Sequence, residues 1–172
     1  PAYRSWPADQ DAHRPGLLRG LFSGGTLRDE ARFVAAPALG DIGTTEHEQG
    51  HVFVDYGDDE YTQGRAHPMI DQTVRIDRLV EAAADESVGV ILMDVVLGYG
   101  ANADPATELA PEIARAVDAG VAVVVSLCGT RGDPQGRDAQ ARLLNEAGAS
   151  VWLSNAAASR EAARLTTTGI ST

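Results

Sequence analysis

The chain contains no lysine, because all 14 of its basic residues are arginine. This absence excludes a lysine Schiff base, a phosphate-loop lysine and a lysine general base. A side-chain cation that contacts phosphate must therefore be an arginine. Cysteine is nearly absent as well. Cys128 is the only one, which excludes an internal disulfide and fits a reducing cytoplasm.

Acidic residues outnumber basic ones by 25 to 14, which gives a formal net charge of −11. A chain this acidic is a poor partner for nucleic acid or for an anionic membrane. No apolar run approaches the roughly 20 residues that span a bilayer, and no segment has the pattern of a signal peptide. We therefore expect a cytoplasmic protein with neither nucleic acid nor membrane as a partner. Because the chain begins at Pro1 without a methionine, we expect it to be part of a longer protein.

Short apolar runs alternate with helical patterns from Leu17 onward. The strand-like runs lie at about 17–22, 51–55, 88–95, 121–127 and 150–154, and the helical patterns lie at about 26–36, 69–84, 105–119, 136–147 and 157–166. These units predict an α/β fold of three layers, with a doubly wound, parallel, five-stranded sheet in the flavodoxin-like order 2-1-3-4-5. We expect this domain to span 17–166. Residues 1–16 lack periodicity and are predicted to be a linker or disordered lead-in, and 167–172 a tail.

The topology predicts where a ligand binds. In a doubly wound sheet the crevice lies at the carboxyl ends of the strands where the strand order reverses, here strands 1 and 3. The loop after strand 4 is next to it. The predicted phosphate- or substrate-binding residues of these three loops are Ser23, Gly24, Gly25 and Thr26, then Gly98, Tyr99, Gly100 and Asn102, and finally Gly129, Thr130 and Arg131.

The first of these loops, Ser23-Gly-Gly-Thr26, joins an apolar strand directly to a helix. Glycines let backbone N–H groups converge, and a helix N-terminus carries partial positive charge. Such a corner is typical of a phosphate site. A purely structural alternative is a capping box, with Thr26 as the N-cap and Asp29 three residues later.

Two other residues are candidates for catalysis. His67 opens the second predicted helix near the crevice, where it binds substrate or fixes the helix entry. Asp94 ends a hydrophobic strand, so its carboxylate needs a partner such as neighbouring backbone N–H groups. His47 and His51 have a spacing that would form a metal pair on a helix, but their glycine-rich flanks predict a loop, and no metal site is expected. Cys128 is expected to be a small core residue.

The segment from Ser23 to Ala31 resembles the start of the ligase domain in the α-subunit of succinyl-CoA synthetase. The sequences His67-Pro-Met-Ile-Asp71 and Val90-Ile-Leu-Met-Asp-Val-Val-Leu-Gly-Tyr-Gly-Ala101 look like the FdrA branch of that superfamily. The resemblance covers about 17–165. It implies a flavodoxin-like ligase domain that points its first helix at a phosphate. It also implies a CoA-binding domain or subunit and a second ligase-type domain as partners, with CoA and nucleotide bound only through them and no cofactor on this domain.

This chain departs from the family pattern after strand 4. The resemblance calls for a phosphohistidine loop there, but 129–137 contains no histidine, and the glutamate expected after strand 3 is also missing. The resemblance therefore implies acyl or carbamoyl transfer to or from a phosphorylated small molecule without a phosphohistidine on this domain. Backbone N–H groups and Arg131 would stabilise the phosphoryl oxygens. Two alternatives remain open, a non-catalytic assembly domain and an FMN-binding flavodoxin-like module.

Overall fold

A computed structural model describes residues 5–10 and 12–168. They form one sheet of seven strands in the order β1-β7-β6-β5-β2-β4-β3. The strands are β1 (Ser5–Trp6), β2 (Leu17–Phe22), β3 (Ile42–Gly43), β4 (His51–Asp55), β5 (Val88–Val96), β6 (Ala122–Cys128) and β7 (Ser150–Trp152). The helices are α1 (Gly25–Leu39), α2 (Asp59–Thr62), α3 (Thr73–Ala84), α4 (Pro105–Asp118), α5 (Arg137–Glu146) and α6 (Asn155–Thr168).

The five central strands confirm the predicted fold class. They run parallel in the order β4-β2-β5-β6-β7, which is the flavodoxin-like order 2-1-3-4-5. The sheet has two more strands than predicted. The two-residue strand β1 pairs antiparallel with β7, and the two-residue strand β3 pairs parallel with β4. Strands this short carry no readable alternation of apolar and polar residues.

Helices cover both faces of the sheet and make the three predicted layers. On one face α3, α4 and α5 pack through residues such as Leu79, Ile113 and Leu144. On the other face α1 and α6 pack through small residues such as Ala35 and Ala162. Strand β5 is almost fully buried because it lies in the middle of the sheet between these layers. The carboxyl ends of β2, β4, β5 and β6 consequently share one edge.

The lead-in differs from the predicted linker. Ser5 and Trp6 pair with β7, and side chains from the rest of its described residues bond to the amino-terminal ends of the central strands. The Gln10 amide donates to the carbonyl oxygens of Val123 and Gly148 at 2.9 and 2.8 Å. The Arg14 guanidinium donates to the carbonyl oxygens of Val88 and Ala83. Polar side chains hold this segment, so apolar periodicity does not reveal it.

The far end of the chain also differs in part from the prediction. Helix α6 continues through Thr168, so the first two residues of the expected tail are helical. The rest of the tail, 169–172, lies outside the described residues. Within residues 5–10 and 12–168, no helix has the length and hydropathy needed to cross a bilayer.

Candidate functional site

The corner between β2 and α1 lies at the carboxyl edge, as the topology predicts. Gly24 is the N-cap in an extended conformation (φ −168°, ψ 145°), and the helix begins at Gly25. Thr26 is the second helical residue, so the purely structural alternative, in which Thr26 is the N-cap, does not hold. No side chain caps α1. Within the described residues, the N–H groups of Gly25 and Thr26 have no protein acceptor, and they carry the positive end of the helix dipole.

Ser23 is held by Asp94 beneath this corner. The Ser23 backbone N–H donates to Asp94 Oδ1 at 2.8 Å, and its hydroxyl donates to Oδ2 at 2.6 Å. The sequence allowed two roles for Asp94, catalysis or the acceptance of hydrogen bonds from neighbouring backbone N–H groups. The structure shows the second role, and the Asp94 side chain is fully buried. Because the Ser23 O–H already donates to Asp94, that group is not available to donate to a phosphate.

A buried arginine, which the sequence did not indicate, completes the support. Arg75 of α3 forms an ion pair with Asp94 at 2.6 Å, and neither side chain is exposed. The guanidinium also donates to the Gln72 side-chain oxygen at 2.6 Å and to the Leu21 carbonyl oxygen at 3.3 Å. Burial lowers the pKa of Arg75, and the Asp94 carboxylate opposes that shift. An arginine nevertheless stays protonated at neutral pH.

His67 reaches the crevice on the β4 side of the corner. A Cβ at Gly57 would lie 2.5 Å from the Ser23 carbonyl oxygen, 2.6 Å from His67 Nε2 and 3.1 Å from Asp55 Oδ1. Nδ1 of His67 accepts a hydrogen bond from the Met69 N–H at 3.1 Å. The neutral ring therefore carries its proton on Nε2, the nitrogen that lies at the crevice.

Asp55, which the sequence analysis missed, lies beside the start of α1. Its Oδ1 accepts the Gly57 N–H at 2.8 Å, and its Oδ2 would be 3.1 Å from a Cβ at Gly25. The sequence analysis looked for ligand-binding residues at the carboxyl ends of the strands. Asp55 ends β4, so the same criterion could have found it. A carboxylate in this place is attracted by the helix dipole and repels an incoming anion.

The loop after β5 is held by hydrogen bonds to surrounding parts of the protein. The Gln135 side chain accepts from the Gly98 N–H and donates to the carbonyl oxygens of Gly98 and Asn102. The Asn102 amide donates to the carbonyl oxygen of Ile70 and to Glu108. Asn102 is thus used within the loop rather than offered to a ligand. Tyr99 is 91% exposed, so it does not cover the crevice. Gly98 and Gly100 both adopt positive φ, at 136° and 83°.

The loop after β6 splits the predicted residues into two groups. Gly129 and Thr130 line a cavity at the carboxyl edge. Arg131 turns away: its side chain is 72% exposed and lies 3.7 Å from Asp138 of α5. The expectation that Arg131 contacts a phosphoryl group at this edge is therefore not met by its position. The loop sequence Gly129-Thr-Arg-Gly132 does not by itself determine where the arginine side chain points.

This edge cavity has a volume of about 550 Å³ and lies next to the first turns of α1. Its walls combine leucines, small polar side chains, a thiol and two carboxylates, contributed by Leu27, Glu30, Leu97, Ser126, Cys128, Gly129, Thr130, Asp133, Leu153 and Asn155. No arginine is among the described residues that line it. Glu30 and Asp133 make the cavity acidic.

Cys128 is exposed at this edge, so the prediction of a core residue is wrong. Its surroundings still bury the thiol in part, which raises its pKa, and the carboxylates of Asp94 and Asp133 raise it further. The thiol consequently stays protonated at neutral pH and is a weak nucleophile.

The two histidines with helical spacing do not lie on a helix. His51 begins β4, and its Nδ1 accepts the Leu18 N–H at 3.0 Å. His47 lines a different cavity of about 350 Å³, over the sheet face beside α3. Across the described residues, no group of three or more His, Cys, Asp or Glu side chains is arranged to hold a metal ion.

Comparison with known proteins connects this geometry to a family. A family model described as CoA-ligase matches residues 21–165. The chain is also similar to a protein of Escherichia coli (strain K12) named "Uncharacterized protein YahF", with 38% identity over 149 residues. The matched region covers 76% of this chain and 29% of that relative, so the chain spans less than a third of YahF.

Proposed function

Since the chain belongs to the CoA-ligase family, we propose that the start of α1 binds the phosphate of an acyl or carbamoyl phosphate. The domain then takes part in acyl or carbamoyl transfer, as the likeness to the FdrA branch suggests. Because 129–137 contains no histidine, the proposed transfer proceeds without a phosphohistidine on this domain.

One observation carries this proposal: the N–H groups of Gly25 and Thr26 have no acceptor among the described residues. A helix terminus without a capping side chain offers its N–H groups to an anion. The buried Asp94–Arg75 pair holds Ser23 and thereby fixes the entry to the helix. A site held before the ligand arrives loses less entropy on binding.

His67 is the side chain best placed to assist. Its Nε2 is directed to the crevice, while its Nδ1 is occupied by the Met69 N–H. A ring protonated at Nε2 donates a hydrogen bond to a phosphoryl or carbonyl oxygen but does not attack phosphorus. We assign His67 the role of a hydrogen-bond donor, which stabilises charge that develops on oxygen.

The test is a titration with carbamoyl phosphate, acetyl phosphate and inorganic phosphate, followed by the amide NMR signals of Gly25 and Thr26. Gly25→Val adds a branched side chain whose Cβ alone would lie 3.1 Å from Asp55 Oδ2, and it should abolish binding. Gly132→Val is the matched control, because a Cβ there meets nothing closer than 3.7 Å. If saturating ligand leaves the wild-type signals unchanged, the proposal fails for this domain.

The other domains required for a complete reaction are also a proposal. The chain spans 29% of its relative YahF. We propose that a CoA-binding domain or subunit and a second ligase-type domain supply CoA and nucleotide binding.

A non-catalytic assembly role is the second candidate, and Phe33 favours it, because this large apolar side chain on α1 is 83% exposed. In that case none of the three phosphates binds, and Phe33→Ser prevents association with a partner domain. A flavin-binding role would give a yellow protein, but the exposed Tyr99 provides no covering ring.

A further inference from the structure

A half-buried arginine in the middle of the sheet has no carboxylate partner. Arg19 lies in β2, between β4 and β5, on the sheet face that α3 covers in part. Among the described residues its guanidinium makes one hydrogen bond, in which Nη1 donates to the Gly50 carbonyl oxygen, and it forms no ion pair. Burial lowers the pKa of Arg19, because the charged form loses water. A charge in this place costs stability, and the described protein brings no opposite charge into contact with it.

The remaining donors of Arg19 are open to a cavity. Nε and Nη2 have no acceptor among the described residues, and neither atom is sealed from solvent. Since strands flank Arg19 on both sides, its exposed part is the part that lines the cavity of about 350 Å³ over this sheet face. Leu21, Val52 and Val54 of β2 and β4 form the floor of that cavity, and α3 forms one wall. A ligand that enters the cavity can therefore reach both donors.

The other charged groups of the cavity are already engaged. Arg78 of α3 forms ion pairs with Glu46 at 2.5 Å and with Glu81 at 2.7 Å. Asp85 accepts two hydrogen bonds from the turn that follows α3, and it acts on Arg19 only at longer range. The lining thus holds three carboxylates and two arginines. A doubly charged anion would meet more repulsion here than a singly charged one.

We infer that this cavity binds a small monocarboxylate, whose two oxygens accept from Nε and Nη2 of Arg19 and whose short alkyl part lies over Leu21, Val52 and Val54. The planar guanidinium presents two parallel N–H groups that match a carboxylate. This site lies on the sheet face, apart from the anion site proposed at Gly25, and neither site requires the other.

Three probes test the inference: butanoate, butanamide and inorganic phosphate. Binding is followed by the NMR signals of the Arg19 Nε–H group and of the Val52 and Val54 methyl groups. We expect millimolar binding of butanoate, in line with the size of the probe, and binding of butanamide at least about tenfold weaker, because it lacks the charge. Phosphate should leave the Arg19 signal unchanged even where it binds at Gly25, so failure of one site is distinguishable from failure of the other.

Two variants identify the groups responsible. Arg19→Met removes the charge but keeps an unbranched stem, and should weaken butanoate binding at least about tenfold, the effect of losing a charge-assisted bidentate pair. Arg160→Met makes the same change on an exposed residue of α6, on the other face of the sheet, and should have no effect.

Asp85→Asn provides a second variant that leaves Arg19 in place. It keeps an acceptor for the turn after α3 and removes a nearby negative charge, so butanoate should bind about two- to threefold more tightly. Equal binding of butanoate and butanamide, unchanged butanoate binding in folded Arg19→Met, weaker binding in Asp85→Asn, or no response of the wild type to butanoate would each overturn the inference. A larger response of the Arg19 signal to phosphate than to butanoate would overturn the preference for a monocarboxylate.

Discussion

Ser23 gives Asp94 two hydrogen bonds, one from its backbone and one from its hydroxyl, at 2.8 and 2.6 Å. The bonds connect the end of β2 to the neighbouring strand β5, just before the helix that we propose binds phosphate. Arg75 lies behind Asp94 and reaches it from α3. The position of the corner is therefore determined by three elements rather than by its glycines alone.

Breaking the buried ion pair should be costly. Asp94→Asn leaves the Arg75 charge buried without its partner and should reduce the free energy of unfolding by about 3–5 kcal/mol. Arg75→Met should also be strongly destabilising, but the double variant should lose clearly less than the sum of the two. Urea denaturation of all four proteins measures this coupling. Additive losses would show that the two charges do not depend on each other.

A methyl group at Gly57 should disturb the crevice. A Cβ there would lie 2.5 Å from the Ser23 carbonyl oxygen and 2.6 Å from His67 Nε2, so Gly57→Ala should destabilise the fold by about 1–3 kcal/mol and shift the His67 ring signals. Gly132→Ala adds the same methyl group in an exposed loop and should change stability by less than about 0.5 kcal/mol. Similar thermal midpoints for Gly57→Ala and Gly132→Ala would contradict the close approach of Ser23 and His67 to Gly57.

The sequence revealed the parts of this molecule that depend on periodicity. The run Val88–Val96 is apolar apart from Gly89 and Asp94 because helices cover it on both faces, and this pattern identifies a central parallel strand. In a doubly wound sheet, ligands bind at the carboxyl ends of the strands, and this expectation placed Ser23 and Gly129 at the same edge. The predicted second helix was too long, since Ile70 lies before α3 and is 53% exposed.

The missing details of the site depend on side-chain direction. Arg75 lies 19 residues before Asp94, and an arginine in an amphipathic helix is expected on the solvent face. Arg131 turns to Asp138, although its loop is at the predicted edge. Such properties follow from tertiary packing and leave no periodic signal.

Stability should fall in mild acid because of His51. Burial lowers its pKa, and the nearby Arg19 lowers it further. The folded protein therefore binds fewer protons at this site than the unfolded chain, so the stabilising contribution is complete above about pH 6.5 and is lost as the pH falls below it. Protonation also removes the acceptor for the Leu18 N–H.

A variant without this titration isolates the effect of His51. His51→Asn keeps a side-chain acceptor but does not titrate, so it controls for the many carboxylates of the chain. The stability advantage of the wild type over the variant should shrink between pH 7.5 and 5 in urea denaturation. An advantage that stays constant, or grows in acid, would contradict the depressed pKa.

The charge of Asp55 should weaken the proposed anion site. Its carboxylate lies beside Gly25, where a phosphate would approach the end of the helix. Asp55→Asn keeps the Oδ1 acceptor for the Gly57 N–H and removes the repulsion. Phosphate should then bind about three- to tenfold more tightly, which corresponds to about 1 kcal/mol of like-charge repulsion at the protein surface.

Glu86→Gln removes the same charge at the opposite edge and provides the control for a general change in net charge. Titration calorimetry at two salt concentrations should show the gain of Asp55→Asn shrinking as salt screens the repulsion. Weaker phosphate binding in Asp55→Asn would instead mean that the carboxylate helps to hold the ligand, for example by accepting the proton of a hydrogen phosphate. In that case Asp55 would belong to the site as a hydrogen-bond acceptor, and a fully deprotonated anion would be the poorer ligand.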